Sequence, residues 1–212
     1  MTVRARPYHS ALRDEQARAT QRRIIQAGGD LYVERGYGAT TIDAIAARAG
    51  VGRKTVFTSV GGKAAVLKLA FDWALAGDDE PVAIADRPAV RRMMAGQDPA
   101  AFVDEWIAFN AAVAGRLAAL YHVLVVAADA DREAAAVLAT VEAQRADGAR
   151  RFATRLATIG GLRPALDVDR AAAIAELLMD PLPYRRLVLH WGWTPEDYTD
   201  YLQRMAAAAL LP

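Results

Sequence analysis

Between Thr40 and Lys63 the chain reads TTIDAIAARAGVGRKTVFTSVGGK, and no other stretch restricts the fold so tightly. Two short helices are implied between turn signals. An isolated helix needs about 12–15 residues to be even marginal in water, so both must dock on a neighbour. Thr40 or Thr41 caps the first, and Asp43, three residues after Thr40, makes a capping-box-like arrangement. Ile42, Ile45, Ala46 and Ala49 follow the i, i+3, i+4, i+7 rule and share an inward face. Gly50 breaks this helix and Val51 plugs the turn. A second helix over residues 53–59 buries Val56, and Val60 closes its end. Gly61-Gly62 turns the chain again before a further helix starts at Lys63. The pattern is a helix-turn-helix.

The neighbour for both short helices is a longer one before them. Helical periodicity over residues 13–35 puts Ile24, Ala27, Gly28, Leu31 and Tyr32 on its inner side, and Gly36 ends it as a C-cap. Gly28 and Gly29 stand mid-helix, where each costs about 1 kcal/mol relative to Ala. Close approach of a neighbouring helix is the compensation expected. Arg53, Lys54 and Thr55 project from the second short helix, which suits that helix to a DNA major groove.

Charge supports the same division of labour. Through Lys63 there are eleven Lys or Arg against five Asp or Glu, and beyond it fifteen against twenty. A basic head on an acidic body directs only the head at a polyanion. The absence of Cys excludes disulfides, thiolate metal sites and Cys nucleophiles. More than half of the 212 residues are apolar, with Ala dominant, so a helical core needs no staples. No apolar run approaches the roughly 20 residues of a membrane span. The N-terminal MTVRARPYHSALRDEQ lacks the hydrophobic segment of a secretory signal. The expectation is a cytoplasmic protein.

The block T-T-I-x-x-I-A-x-x-A-G-V, then T-V-F, then G-x-K, closely resembles the N-terminal domain of the TetR (tetracycline-repressor-like) family. The preceding IIQAGGDLYVERGYG also fits that family's first helix, so the resemblance is strong over residues 21–69. Beyond, it rests on helical layout and the closing GWTPEDYTDYLQRMAAAALLP. The resemblance implies an all-α homodimer: an N-terminal three-helix helix-turn-helix domain, residues 1–62, followed by a C-terminal helical bundle for ligand binding and dimerisation, residues 63–212. It further implies base or backbone contacts from Arg53, Lys54, Thr55, Phe57 and Thr58. Arg53 would reach guanine O6 and N7, contributing about 1–3 kcal/mol of discrimination, and Lys54 would meet phosphate. Thr40 and Thr41 at one helix start and Lys63 at another would hold phosphates. Three positions depart from the family pattern. Phe57 replaces the usual Tyr and loses its hydroxyl contact, Gly52 replaces a capping Ser, and Ser59 shortens a phosphate contact commonly made by Tyr or His.

After an acidic, Pro-containing linker at residues 77–88, whose Asp78-Asp79-Glu80 cluster reads as solvated loop, helices are expected at 88–94, 99–114, 116–128 and 132–158. Another starts near Asp169. Asp180-Pro181 and Thr194-Pro195 give two more start signals, the last for a helix to about Leu210. Phe102, Trp106, Phe109, Asn110 and Val113 share one helical face, and Trp73, Tyr121, His122 and Phe152 would add to a cavity for a small hydrophobic effector. Aromatic stripes are more often core, but buried Asn110 needs a partner that a ligand or water would supply. The dimer interface is expected from Ala171, Ala172, Ile174, Ala175 and Leu178 with Tyr198, Tyr201, Leu202, Met205 and Ala209, as a four-helix contact.

These features describe a sequence-specific transcriptional regulator, a repressor released from a near-palindromic operator by its effector. No catalytic residue, metal or cofactor is expected. A constitutive dimeric DNA-binding protein is the alternative. A helical-bundle enzyme fits poorly, because His9, His122 and His190 are scattered and no nucleophile elbow or phosphate-binding loop occurs.

Overall fold

The computed structural model describes residues 8–80 and 82–212, and among them the fold is all-α. Residues 1–7 and Pro81, which belong to the stretches read as a polar N-terminus and a linker, lie outside the described residues, as does the His9 side chain. The chain forms two compact units, one ending at Asp72 and the other beginning at Trp73.

The first unit is built on α1 (Tyr8–Ala39), which breaks at Gly36, where φ is 80° and ψ 164°. Ile24, Ala27, Leu31 and Tyr32 are buried. α2 (Ile42–Ala49) and α3 (Arg53–Ser59) dock against it through Ile42, Ile45, Ala46, Ala49 and Val56. Gly50 ends α2 in the left-handed region, φ 66°, where a side chain would be strained. Arg48 on α2 pairs with Glu34 on α1 at 2.6 and 2.8 Å, holding the Glu34 carboxyl below its ordinary pKa. α4 (Lys63–Ala76) lies across the paired glycines. A Cβ at Gly28 would stand 2.2 Å from Val66 Cγ1, and one at Gly29 would stand 3.4 Å from Ala70 Cβ. The close helix approach expected from the sequence is therefore present.

The second unit contains α5 (Pro88–Ala95), α6 (Pro99–Ala128), α7 (Arg132–Thr158), α8 (Val168–Leu178), α9 (Pro181–Tyr184) and α10 (Pro195–Leu210). A single π-helical turn, Arg185–His190, follows α9. α7 packs on α6 and α8, and α6 packs on α10. Asp98, Asp131, Asp167, Asp180 and Thr194 cap the helices they precede. Thr194 and Asp197 form a full capping box. Arg116 on α6 donates to the carbonyls of Ala74 (2.9 Å) and Leu75 (3.0 Å), satisfying the C-terminus of α4. In the acidic linker, Arg87 bonds both oxygens of Asp78 and holds that carboxyl down at about 2.

One expectation is corrected. The helices expected at 99–114 and 116–128 are one continuous α6, because Gly115 continues the helix instead of ending it. It lies where Tyr184 approaches, with the tyrosine hydroxyl 3.1 Å from where a Cβ would be. By length and mean composition alone α6 could cross a membrane, although Asp104, Glu105, Arg116 and His122 interrupt its apolar runs. Its apolar residues, among them Phe102, Val103, Trp106 and Ile107, pack in the core of the second unit.

Candidate nucleic-acid interface

The inner residues of α2 and α3 are consumed by docking, which leaves one side of α3 facing solvent. Arg53, Lys54 and Thr58 are exposed, Phe57 is 47% exposed, and Thr55 and Ser59 are half-buried. The register explains this: Val56 is the single buried residue of α3, so its neighbours at other helical angles point away from α1. Gly52 precedes α3 without a side-chain cap, as its lack of a hydroxyl requires. The Thr58 hydroxyl donates to Lys54 O at 3.1 Å, a bond that holds it against its own helix.

Arg53 is not a loose cation. Its Nη1 donates to Asp43 Oδ2 at 2.6 Å, and its guanidinium carbon lies 5.5 Å from the centroid of the Phe57 ring. Lys63 is positioned too. Its Nζ stands 4.2 Å from the Tyr37 ring centroid, and its carbonyl accepts from the Tyr32 hydroxyl at 2.8 Å. Sequence reasoning missed Asp43 and Tyr37 as neighbours of the basic residues. For Asp43 the signal was available: an acidic residue begins the helix before the turn and a basic one begins the helix after it.

Thr40 and Thr41 have different fates. Thr41 is exposed, and its hydroxyl oxygen accepts from Ala44 N at 3.1 Å, which makes it the N-cap of α2. Thr40 is fully buried, and its hydroxyl lies within reach of Gly36 O (2.8 Å) and Leu31 O (3.2 Å). The expectation that Thr40 holds phosphate is corrected, since its oxygen is turned inside the head. Asp43 is likewise not the capping partner of Thr40, because its carboxylate is engaged by Arg53.

The residues expected to line an effector cavity separate into groups. Phe152 stacks on Phe102 (5.1 Å between centroids) and on Trp106 (3.9 Å), and all three are buried. Phe109 is partly buried against the same core. Asn110 donates from Nδ2 to Trp106 O at 2.8 Å, so its amide has a partner within α6. Tyr121 is buried, and its hydroxyl accepts from Arg145 Nη1 at 2.9 Å; burial raises its pKa. Trp73 and His122 are half-buried and, among the described residues, belong to neither group. Burial, with Arg185 nearby, lowers the His122 pKa.

The expected dimer residues divide as well. Ala171, Ala172, Ala175, Tyr198 and Leu202 are buried in the core of their own unit, so they are corrected from interface to core. The close approach that small residues permit on α8 is that of α7 and α10 in the same chain. Ile174, Leu178, Tyr201 and Ala209 are partly buried and Met205 is 46% exposed, while Leu177, which is not among the expected residues, is 71% exposed. Among the described residues, no group of three or more His, Asp or Glu is arranged to hold a metal ion.

A tight turn between α2 and α3, with the basic side of α3 facing outward and both helices docked on α1, makes the head a helix-turn-helix. Residues 24–70 match the model described as bacterial regulatory proteins, tetR family. Its fold is similar to that of NalD, the secondary repressor of the MexAB-OprM multidrug efflux pump in Pseudomonas aeruginosa (TM-score 0.67, 16% identity, covering 92% of this chain and 98% of that one). The MbdR regulator from Azoarcus sp. CIB matches with a TM-score of 0.62 and 21% identity, over 91% of this chain and 100% of that chain. SmeT, the repressor of the Stenotrophomonas maltophilia multidrug efflux pump SmeDEF, matches with a TM-score of 0.61 and 19% identity, over 91% and 90%. At these identities the likeness is one of fold. No curated protein matches the sequence.

Proposed function

We propose that the chain is a dimeric, sequence-specific regulator of transcription, a cytoplasmic repressor that leaves a near-palindromic operator when a small hydrophobic effector binds, and that it is not an enzyme. One observation carries the reading: α3 exposes Arg53, Lys54 and Phe57 while burying Val56, so the helix is rigidly held and its outer side is available to a groove. Arg53 and Phe57 read bases, and Lys54, Thr41 and Lys63 meet phosphates. The division between the DNA-binding part and the ligand-binding part falls at the start of α4. Two-fold pairing runs through the outer sides of α8 and α10, where Ile174, Leu177, Leu178, Tyr201 and Met205 remain wholly or partly uncovered. Such pairing repeats α3 on one face of a duplex and makes the operator palindromic.

The effector would lodge against Phe102, Trp106 and Phe152, which must part to admit it. Their mutual stacking favours a second reading, in which the body only dimerises and DNA binding is constitutive. Selection of duplexes from random DNA tests the main reading. A recovered palindrome bound by two chains, with log K falling by about 0.9 per phosphate against log salt, is the expected result. Equal binding to all sequences would overturn it. Trp106 fluorescence titrated with a panel of hydrophobic compounds separates the two readings, because only an effector site gives a saturable change.

A further inference from the structure

We infer that Asp43 is a positioning residue that sets the sequence specificity of Arg53, an inference that rests on α3 being the DNA-reading helix. Asp43 lies in the first turn of α2 and Arg53 opens α3, so the tight turn brings them together across ten residues of sequence. The Nη1–Oδ2 bond is 2.6 Å long, and the two side chains are 57% and 67% exposed. The pair therefore stands on the surface, where an ion pair adds little to folding. What it does fix is the direction of a long side chain and the charge that α3 presents.

Both matter for discrimination. Phosphates attract any exposed cation whatever the base sequence. A guanidinium already neutralised by Asp43 is a weak phosphate ligand, and the carboxylate itself repels phosphate. A guanine edge, by contrast, offers the bidentate acceptors that suit a guanidinium held in place by Asp43 on one side and the Phe57 ring on another. Asp43 thus penalises wrong DNA more than the operator, a repulsive element of specificity.

The test is a cycle of wild type, Asp43→Asn, Arg53→Ala and the double variant. Each is titrated at several NaCl concentrations on a duplex selected by the wild type and on a shuffled duplex of equal length. Asp43→Asn should melt like the wild type, since Thr41 caps α2. It should steepen the salt slope on shuffled DNA by about 0.9 for each chain bound. The ratio of operator to shuffled affinity should drop by about fivefold or more. Asp43→Glu should restore part of that ratio. In the Arg53→Ala background, Asp43→Asn should leave the ratio unchanged. The inference is overturned if Asp43→Asn strengthens both duplexes equally, or if its effect persists without Arg53. A wild type that discriminates beside an Asp43→Asn variant with the same ratio removes the role of Asp43 alone. A wild type that discriminates nothing removes the DNA-reading role of α3 and this inference with it.

Discussion

Adjacent glycines in α1 should respond to the same substitution with opposite signs. Helix propensity favours Ala over Gly by about 1 kcal/mol at either position. The surroundings differ. A methyl at Gly28 would stand 2.2 Å from Val66 Cγ1, whereas one at Gly29 meets Ala70 Cβ at 3.4 Å, near ordinary contact. Val66 is fully buried and β-branched, so it cannot turn aside without leaving its rotamer or displacing α4. Overpacking of this kind costs about 1–3 kcal/mol. Gly28→Ala should therefore destabilise the first unit by up to about 2 kcal/mol, while Gly29→Ala should stabilise it by about 0.5–1 kcal/mol. Val66→Ala removes the offending methyl, and in that background Gly28→Ala should turn stabilising. The two changes would then be coupled by about 1–3 kcal/mol. All four tryptophans (Trp73, Trp106, Trp191 and Trp193) lie beyond the first unit, so fluorescence is the wrong probe. Urea titration followed by far-UV circular dichroism, with hydrogen exchange of α1 and α4 peptides, reads the right unit. Equal signs at the two glycines, or no reversal with Val66→Ala, would refute the argument from close helix approach.

Four further outcomes are expected. Thr40→Val should lower the stability of the head by about 1 kcal/mol and leave the salt slope of DNA binding unchanged; a shallower slope would return Thr40 to phosphate. In fluorescence anisotropy, Lys63→Ala should weaken binding to every duplex alike, whereas Arg53→Ala should relax preference at one base pair of each half-site. Leu177→Glu combined with Met205→Glu should give monomers in sedimentation equilibrium, because both charges would have to be buried in the paired surface; unchanged dimers would place the interface elsewhere. Burial, with Arg185 nearby, lowers the folded pKa of His122 below its ordinary value of 6.5. The unfolded chain then takes up that proton first, so the stability carried by the neutral ring is full above pH 6.5 and is lost as the pH falls toward the folded value. Melting temperature should accordingly fall less steeply with acidity in His122→Gln than in the wild type.

The head was readable in advance because its punctuation is local. Glycines at 36, 50, 61 and 62 and the threonines before α2 state where helices end and begin, and the run from Ile42 to Ala49 states which side is buried. Asp180-Pro181 and Thr194-Pro195 did the same for α9 and α10. Gly115 misled, since a glycine within a helix signals either a stop or a neighbour passing close by, and only the position of Tyr184 decides which. Thr40 and Thr41 are indistinguishable as letters, and the fold turns one hydroxyl inward and the other onto Ala44 N.

By itself the sequence determined most helix positions and the helix-turn-helix, because turn residues and 3.6-residue periodicity act over a few neighbours. Tertiary structure alone decided what each apolar face meets. Periodicity says that Ala171, Ala175, Tyr198 and Leu202 must be covered, and only the packing of α7, α8 and α10 shows that the same chain covers them. It also decided that Arg53 finds Asp43, since a pairing across a turn depends on where two helices are set in space.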